Sequence, residues 1–460
     1  MKRLNILFTG LILLIFSATS SAQVAEDAIR IVQDEIGFGV RALGMGGAYT
    51  AVSNDYSAIY WNPAGLASLR HAEFSGEFSN LNFNNDATFA NSFNGRSQNF
   101  SRLRSVGAAL PIPTTRGSMV FAVGYNRVKD FDRTLFFSGF NTLSNGLEFQ
   151  FQDQNGNDVL YPFDRNVSQS EQINDEGGLN QISFAGAVSL SPNFDAGVTV
   201  NVYDGSDDYQ FTFNQADVQN QYSVFPADFD SYSLNQNLKS DYSGVGVKVG
   251  GMFRVARGIR LGASVGLPVT FTVKETYSSD DVLRFDDGTE DAAVLDQGNF
   301  EYKVQTPIHF DAGASLSNGF LTFAGSIRYR DWSQTKFKIS DGELTDPNFS
   351  GLFEENQFIK ENYRATLQYN LGGEVYLEGM KTYLRGGYAV LPSPLQNADK
   401  NLDKKFISGG IGFRVDRNVV LDVGYLRGTW KRNSEDTYTP GGTFEDITTQ
   451  KILVGLRYQF

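Results

Sequence analysis

"KILVGLRYQF" (451–460) ends the chain. In an extended conformation Ile452, Val454, Leu456, Tyr458 and Phe460 share one face, while Lys451, Gly455, Arg457 and Gln459 share the other. Leu453 is the one apolar residue on the polar side. Alternation at period two marks a strand whose two faces meet different surroundings. An edge strand of a soluble sandwich carries the same pattern, so the rest of the chain must decide.

Upstream the pattern recurs. "FISGGIGFRV" (406–415) sets Ile407, Ile411, Phe413 and Val415 against Ser408, Gly410, Gly412 and Arg414. "GIRLGASVGL" (258–267) sets Ile259, Leu261, Ala263, Val265 and Leu267 against Arg260 and Ser264. One face is always apolar, the other polar or glycine, as in a barrel with lipid outside and a polar lumen. The terminal strand ending on Phe460 also resembles the signal read by the barrel-assembly machinery of the bacterial outer membrane.

The start of the chain agrees. Lys2 and Arg3 precede an apolar run, Ile6–Phe16, and Ser20-Ser21-Ala22 supplies small residues for cleavage. Residues 1–22 therefore read as a secretory signal peptide, too short to remain as a membrane span. No other run is long and apolar enough for a membrane-spanning helix. There is no cysteine, so an exported fold must hold without disulfides. Aromatics make up 13% and glycines number 47, which suits an exported chain that crosses the membrane with strands.

Tight turns are expected near 111–118, 191–193, 256–258, 317–319, 378–381 and 416–418, and longer polar links near 84–99, 130–178, 204–240, 276–298, 333–360, 392–404 and 433–447. Between them lie 14 strands: 71–83, 100–110, 119–129, 179–190, 194–203, 241–255, 259–275, 299–316, 320–332, 361–377, 382–391, 405–415, 419–432 and 448–460. The even number puts both ends of the barrel on the periplasmic side. The expected fold is all-β, a 14-stranded antiparallel transmembrane barrel over 71–460, preceded by 23–70 as an N-terminal hatch that starts on the periplasmic side and plugs the lumen.

That preceding segment contains "RALGMGGAYTAVSNDYSAIYWNPAGLA" (41–67). Gly44, Gly46 and Gly47 allow close packing against a wall and turns at positive φ. Pro63 keeps Asn62 out of helical geometry. The stretch resembles the N-terminal hatch of the FadL/TodX-type outer-membrane transport proteins, whose closing Asn-Pro-Ala motif matches Asn62, Pro63 and Ala64. The resemblance implies a 14-stranded barrel with a movable plug, a lateral exit at a kinked wall strand, and passive uptake of hydrophobic compounds such as long-chain fatty acids. PorV-like barrels, which bind exported proteins in type IX secretion, are similar in this region and supply the alternative.

Candidate site residues follow from that mechanism. The link at 204–240 holds Phe211, Phe213, Tyr222, Phe225 and Phe229, which either capture an apolar ligand or form the loop's own core. Arg254, Arg260, Arg328 and Arg414 fall on the expected lumen face. They either guide an acidic headgroup or pair with hatch acids such as Asp27, Asp34, Glu35 and Asp55, the favoured reading because unpaired buried cations are expensive. Gly250–Gly251 and Gly372–Gly373 mark bulges or ordinary curvature.

Other chemistry is not expected. "GMGG" (44–47) lacks the Lys-Ser/Thr of a phosphate loop. "DQNGND" (153–158) has its glycine out of register for a calcium loop. The two histidines, His71 and His309, and the absence of cysteine leave little for catalysis or a metal. With a formal charge of −13 and no basic outer patch, nucleic acid is not an expected partner. No cofactor is expected. The expected surroundings are outer-membrane lipid and lipopolysaccharide, with the chain as a monomer.

Overall fold

In a computed structural model, residues 25–33, 35–152, 156–339 and 349–460 are described. The expected signal peptide lies outside them. The first strands are β1 Glu73–Phe89, β2 Ser92–Ile112, β3 Met119–Asp130, β4 Arg133–Asn141, β5 Glu148–Gln152, β6 Asp158–Pro162 and β7 Val167–Ser191. There follow β8 Phe194–Ala216, β9 Phe229–Ala256, β10 Ile259–Gly266, β11 Thr270–Phe285, β12 Glu290–Gln305, β13 His309–Ser317, β14 Leu321–Asp331 and β15 Lys336–Lys338. The last are β16 Ala365–Leu377, β17 Thr382–Leu391, β18 Lys404–Arg414, β19 Val419–Ser434 and β20 Thr443–Gln459.

Antiparallel pairing runs β1–β2–β3–β7–β8–β9–β10–β13–β14–β16–β17–β18–β19–β20 and returns from β20 to β1. This is a closed 14-stranded barrel. The closing strand behaves as its alternation requires. Ile452, Val454, Leu456 and Tyr458 point outward and are exposed, while Leu453 is buried beside Val40 of the N-terminal segment. The one exception to the sequence pattern thus belongs to the interior.

All six expected tight turns are present at one end, the turn end. The expected long links differ, because most of them are strand. β1 and β2 join through Ala90–Asn91, both at positive φ (45° and 64°), a hairpin turn in the middle of the expected link 84–99. β8 and β9 rise to Ala216 and Phe229 before turning. Beyond the lipid both faces of these strands meet water or other loops, so the alternation stops there while the hydrogen-bond ladder continues. Two expected strands, 259–275 and 299–316, are each broken, at 267–269 and 306–308, near Pro268 and Pro307. Neither proline can donate to a ladder.

Residues 25–69 lie inside the ring. They form α1 Ala25–Val32, α2 Val40–Gly44, α3 Ala58–Trp61 and a 3₁₀ turn Pro63–Ser68. Their direction corrects the expected one. The Ala25 N–H donates to Glu355 Oε2 (2.6 Å) on α4, Ser350–Asn362, which lies at the loop end. The segment therefore begins high in the lumen and descends to the turn end, where Ser118 donates to the Ala67 carbonyl (2.6 Å).

Candidate functional site

The Asn-Pro-Ala motif fastens the plug to the wall. Asn62 Nδ2 donates to the carbonyls of Thr50 and of Gly251 on β9 (both 3.0 Å), and its Oδ1 accepts from Ala64 N–H (3.2 Å), capping the 3₁₀ turn that Pro63 opens. A β-carbon at Gly250 would collide with Asn62 Oδ1, so the glycine pair on β9 is a seat for the motif rather than a bulge. The opposite side of the plug uses its own glycines. Gly46 has φ 63°, and a β-carbon there would lie 2.6 Å from the Tyr388 amide of β17. Gly46 N–H donates to Ser408 Oγ (3.0 Å) and its carbonyl accepts from Asn370 (2.6 Å). Gly44 and Gly47 pack close to Arg385 and Asn370.

Ion pairs complete the seat. Glu77 of β1 accepts from Gly39 and Val40 N–H (3.1 and 3.0 Å) at the start of α2. Arg41 grips Glu374 of β16 with two bonds, 2.9 and 2.7 Å. Burial disfavours the Arg41 cation, but Glu374, with Asp55 beyond it, holds its pKa well above the ordinary value. Burial pushes the Tyr49 phenol well above its usual value, so it stays a donor to Asp55 (2.5 Å).

Of the four expected lumen arginines, Arg328 pairs with Asp311 (2.6 Å), and Arg254 pairs with Asp195. Arg260 makes no ion pair among the described residues. Arg414 is exposed at the turn end, bonded to the Tyr383 hydroxyl (2.9 Å). Among the hatch acids, Asp55 faces Arg41 and Arg457 (3.5 and 3.6 Å), and Glu35 faces Lys451 (3.2 Å). Asp34 lies outside the described residues.

The loop aromatics divide. Phe211, Phe213 and Phe229 are buried in a cluster with Phe149, Phe163 and Tyr232, with Phe163 and Phe229 centroids 5.1 Å apart. Tyr222 packs on its edge. Phe225 is 68% exposed. This cluster roofs the loop end of the barrel.

Below the roof, α1 spans the lumen. Its Arg30 reaches Asp175 of β7 (2.9 Å) and Asp207 of β8. Its last carbonyls, which no helical N–H can meet, accept from wall cations: Lys129 bonds Arg30 O and Ile31 O, and Arg330 bonds Val32 O (3.1 Å). A cavity of about 80 Å³ lies beside this end of the helix. Val128, Leu179, Val269 and Phe271 give it an apolar side; Lys129, Lys248, Arg328 and Arg330 border the rest.

The wall is incomplete near this level. β2 pairs β3 only over Ser105–Ile112 with Met119–Asn126. Above, the third barrel strand bends at Phe131–Asp132. Its continuation β4 pairs β7 and leans inward on β1 and β2, with Asn85 and Asn94 donating to the Thr134 and Ser138 carbonyls (both 3.1 Å). Among the described residues, Ser92–Arg104 of β2 is left with β1 as its only ladder partner. Arg102 bridges the gap to Asp132 with two bonds, 2.7 and 3.1 Å. Sequence reading did not single out Arg30, Lys129, Arg102 or Asp132; their places depend on a bend and a helix docking that alternation does not carry.

These features have counterparts among known proteins. A family described as outer membrane protein transport protein (OMPP1/FadL/TodX) matches residues 143–459. The chain belongs to this family. A FadL homologue of Pseudomonas aeruginosa shares its fold at 15% identity, TM-score 0.58, over 93% of this chain and 99% of the other. The Pseudomonas putida toluene transporter TodX does so at 14% identity, TM-score 0.57, over 93% and 99%. The Ralstonia pickettii toluene transporter TbuX does so at 16% identity, TM-score 0.52, over 92% and 98%. No curated protein sequence matches. The protein is thus an outer-membrane β-barrel of a family that transports hydrophobic compounds.

Proposed function

We propose that this chain carries hydrophobic small molecules, long-chain fatty acids or similar, passively inward across the outer membrane. The observation that carries the reading is the cavity at the end of α1, apolar on one side and cationic on the other. A ligand with an acidic head would place its tail against Val269 and Phe271. Its head would compete with the α1 carbonyls for Lys129 and Arg330.

Ligand pockets usually measure about 300–1,000 Å³, and this cavity is smaller. Uptake therefore needs residues 23–70 to act as a movable hatch, with α1 yielding first. That end is held by Arg30, Lys129 and Arg330 and by the buried apolar face Ala28, Ile29, Ile31 and Val32, whereas the Asn62 end is wedged into wall glycines. In this reading Phe225 meets the ligand outside, the buried aromatics hold the loop in shape, and the gap bridged by Arg102 and Asp132 is a lateral exit. The alternative, binding of exported proteins, would be favoured by a sealed lumen beneath a flat loop surface. The internal cavity speaks for the small ligand.

Native mass spectrometry of the protein gently extracted from its own membrane tests this. A retained apolar small molecule, lost in Lys129→Ala/Arg330→Ala, supports transport. A co-purified exported protein with no small ligand supports the alternative.

A further inference from the structure

The wall is interrupted a second time, with six barrel strands between it and the gap beside β2. β10 and β11 are one strand broken at 267–269, and β13 and β12 are one strand broken at 306–308. Their mutual register is kept, Gly266↔His309 below and Thr270↔Gln305 above. The next strand does not keep it. β14 pairs β13 up to Arg330↔His309, and β15 resumes with β12 at Lys336↔Gln305. Residues 306–308 therefore stand opposite 331–335, without ladder bonds between them. Above this interruption, which holds the 3₁₀ turn Trp332–Gln334, β12 and β15 are joined among the described residues from Gln305↔Lys336 to Lys303↔Lys338.

The position of the break is specific in two ways. The outward face changes character across it. Below stand Leu261, Ala263, Val265 and Leu267; above stand Thr270, Thr272, Lys274 and Thr276. The interruption thus lies at the outer boundary of the lipid-facing band. The cavity also reaches it. Gly266, Leu267, Thr306 and His309 line one end, while Val128 and Lys129, beside the bend of the third strand, line the other.

We propose that the break between β12/β13 and β14/β15 is a second side door, through which a hydrophobic molecule passes between the cavity and the outer leaflet. It opens by parting the short β12–β15 ladder, with Pro307 removing a donor that would otherwise tie the strands. His309, whose ring lies over Gly266, stands in the passage. The door rests on the transport reading for its purpose, but its opening is measurable without transport.

The test uses the natural lack of cysteine. Gln305→Cys/Lys336→Cys places two thiols on directly opposed residues, within disulfide reach. Thr276→Cys/Asn299→Cys, opposed on β11 and β12 outside the β12–β15 ladder, is the control. Spin labels on the first pair, in outer-membrane vesicles, should show a short distance and a second, longer population; a single short distance overturns the door. Oxidation of the first pair should lower initial uptake of radiolabelled oleate or toluene by about twofold or more, reversed by reductant and absent in the control. Uptake unchanged by the staple overturns the proposal. Failure of the reduced parent to take up either probe counts against the transport reading, and the spin-label distances then decide the door alone.

Discussion

Asn62 Oδ1 occupies the space that a β-carbon at position 250 would need. The plug's motif and the wall's glycine are therefore one fitted joint, with Pro63 Cδ on its other side. Gly250→Ala should force Asn62 out and cost about 1–3 kcal/mol by overpacking. In planar bilayers the variant should conduct ions steadily where the parent is shut. A variant as tight as the parent, with the same melting temperature, would contradict the joint.

Arg41→Ala should loosen the plug at its other anchor. Removing one partner of a buried pair typically costs about 3–5 kcal/mol. Here the loss should sit at the low end, because Glu374 keeps Arg385 (2.7 Å) and Asp55 keeps Arg457. Limited proteolysis should clip residues 25–69 faster while the barrel stays heat-resistant. Equal clipping rates would mean that the ion pair does not hold the plug.

Arg102→Ala should widen the gap beside β2 at Asp132, while Arg104 still reaches Asp130 below and Gln98 and Asn94 still reach Glu176 and Ser138 above. The expected outcome is faster initial uptake of a radiolabelled hydrophobic probe with unchanged barrel stability. Slower uptake would assign Arg102 to ligand contact instead of closure.

Phe213→Ser and Phe225→Ser should part company. Phe213 is fully buried in the roof, and its loss should destabilise the loop end by about 3–5 kcal/mol. Phe225 is exposed, so its replacement should leave proteolytic stability alone and weaken only capture. If both variants lose stability equally, Phe225 is part of the roof as well.

One loop carboxylate carries a pH dependence. Partial burial raises the Asp164 pKa, but hydrogen bonds from Arg165 and Ser144 outweigh it and hold it below the ordinary value. A depressed folded pKa means stability that is present above the unfolded value, about 3.9, and lost as pH falls through the folded one. Amide exchange at Asn145, whose N–H donates to the Asp164 carbonyl (3.0 Å), should stay slow at neutral pH and speed up only in strong acid. Acceleration between neutral pH and the ordinary carboxylate range would remove this carboxylate as the cause.

Most of the barrel was legible because lipid and lumen sort residues by parity. The ring of strands, the turn end and the plug glycines all follow from that sorting and from the packing of small residues. The strands above the lipid were hidden, since alternation carries no signal where both faces are wet. The two broken strands read as continuous because each half alternates and only the phase slips, odd residues outward below Pro268 and even ones above. Parity placed Arg254 and Arg328 on the lumen face, but their partners are Asp195 and Asp311 on neighbouring wall strands rather than the expected hatch acids.

The plug is made first and fixed last. Arg41 and Glu374 are 333 residues apart, and Glu35 and Lys451 are 416 apart. The seats for residues 25–69 are spread over strands from β1 to β20, so the full set does not exist until the ring closes. Until then the segment has no shape to adopt, and the entropy of closing such long chain loops must be met by the barrel itself. Assembly in the membrane is therefore expected to proceed with an unfolded leading segment, and capture of that segment is the event that marks a finished barrel.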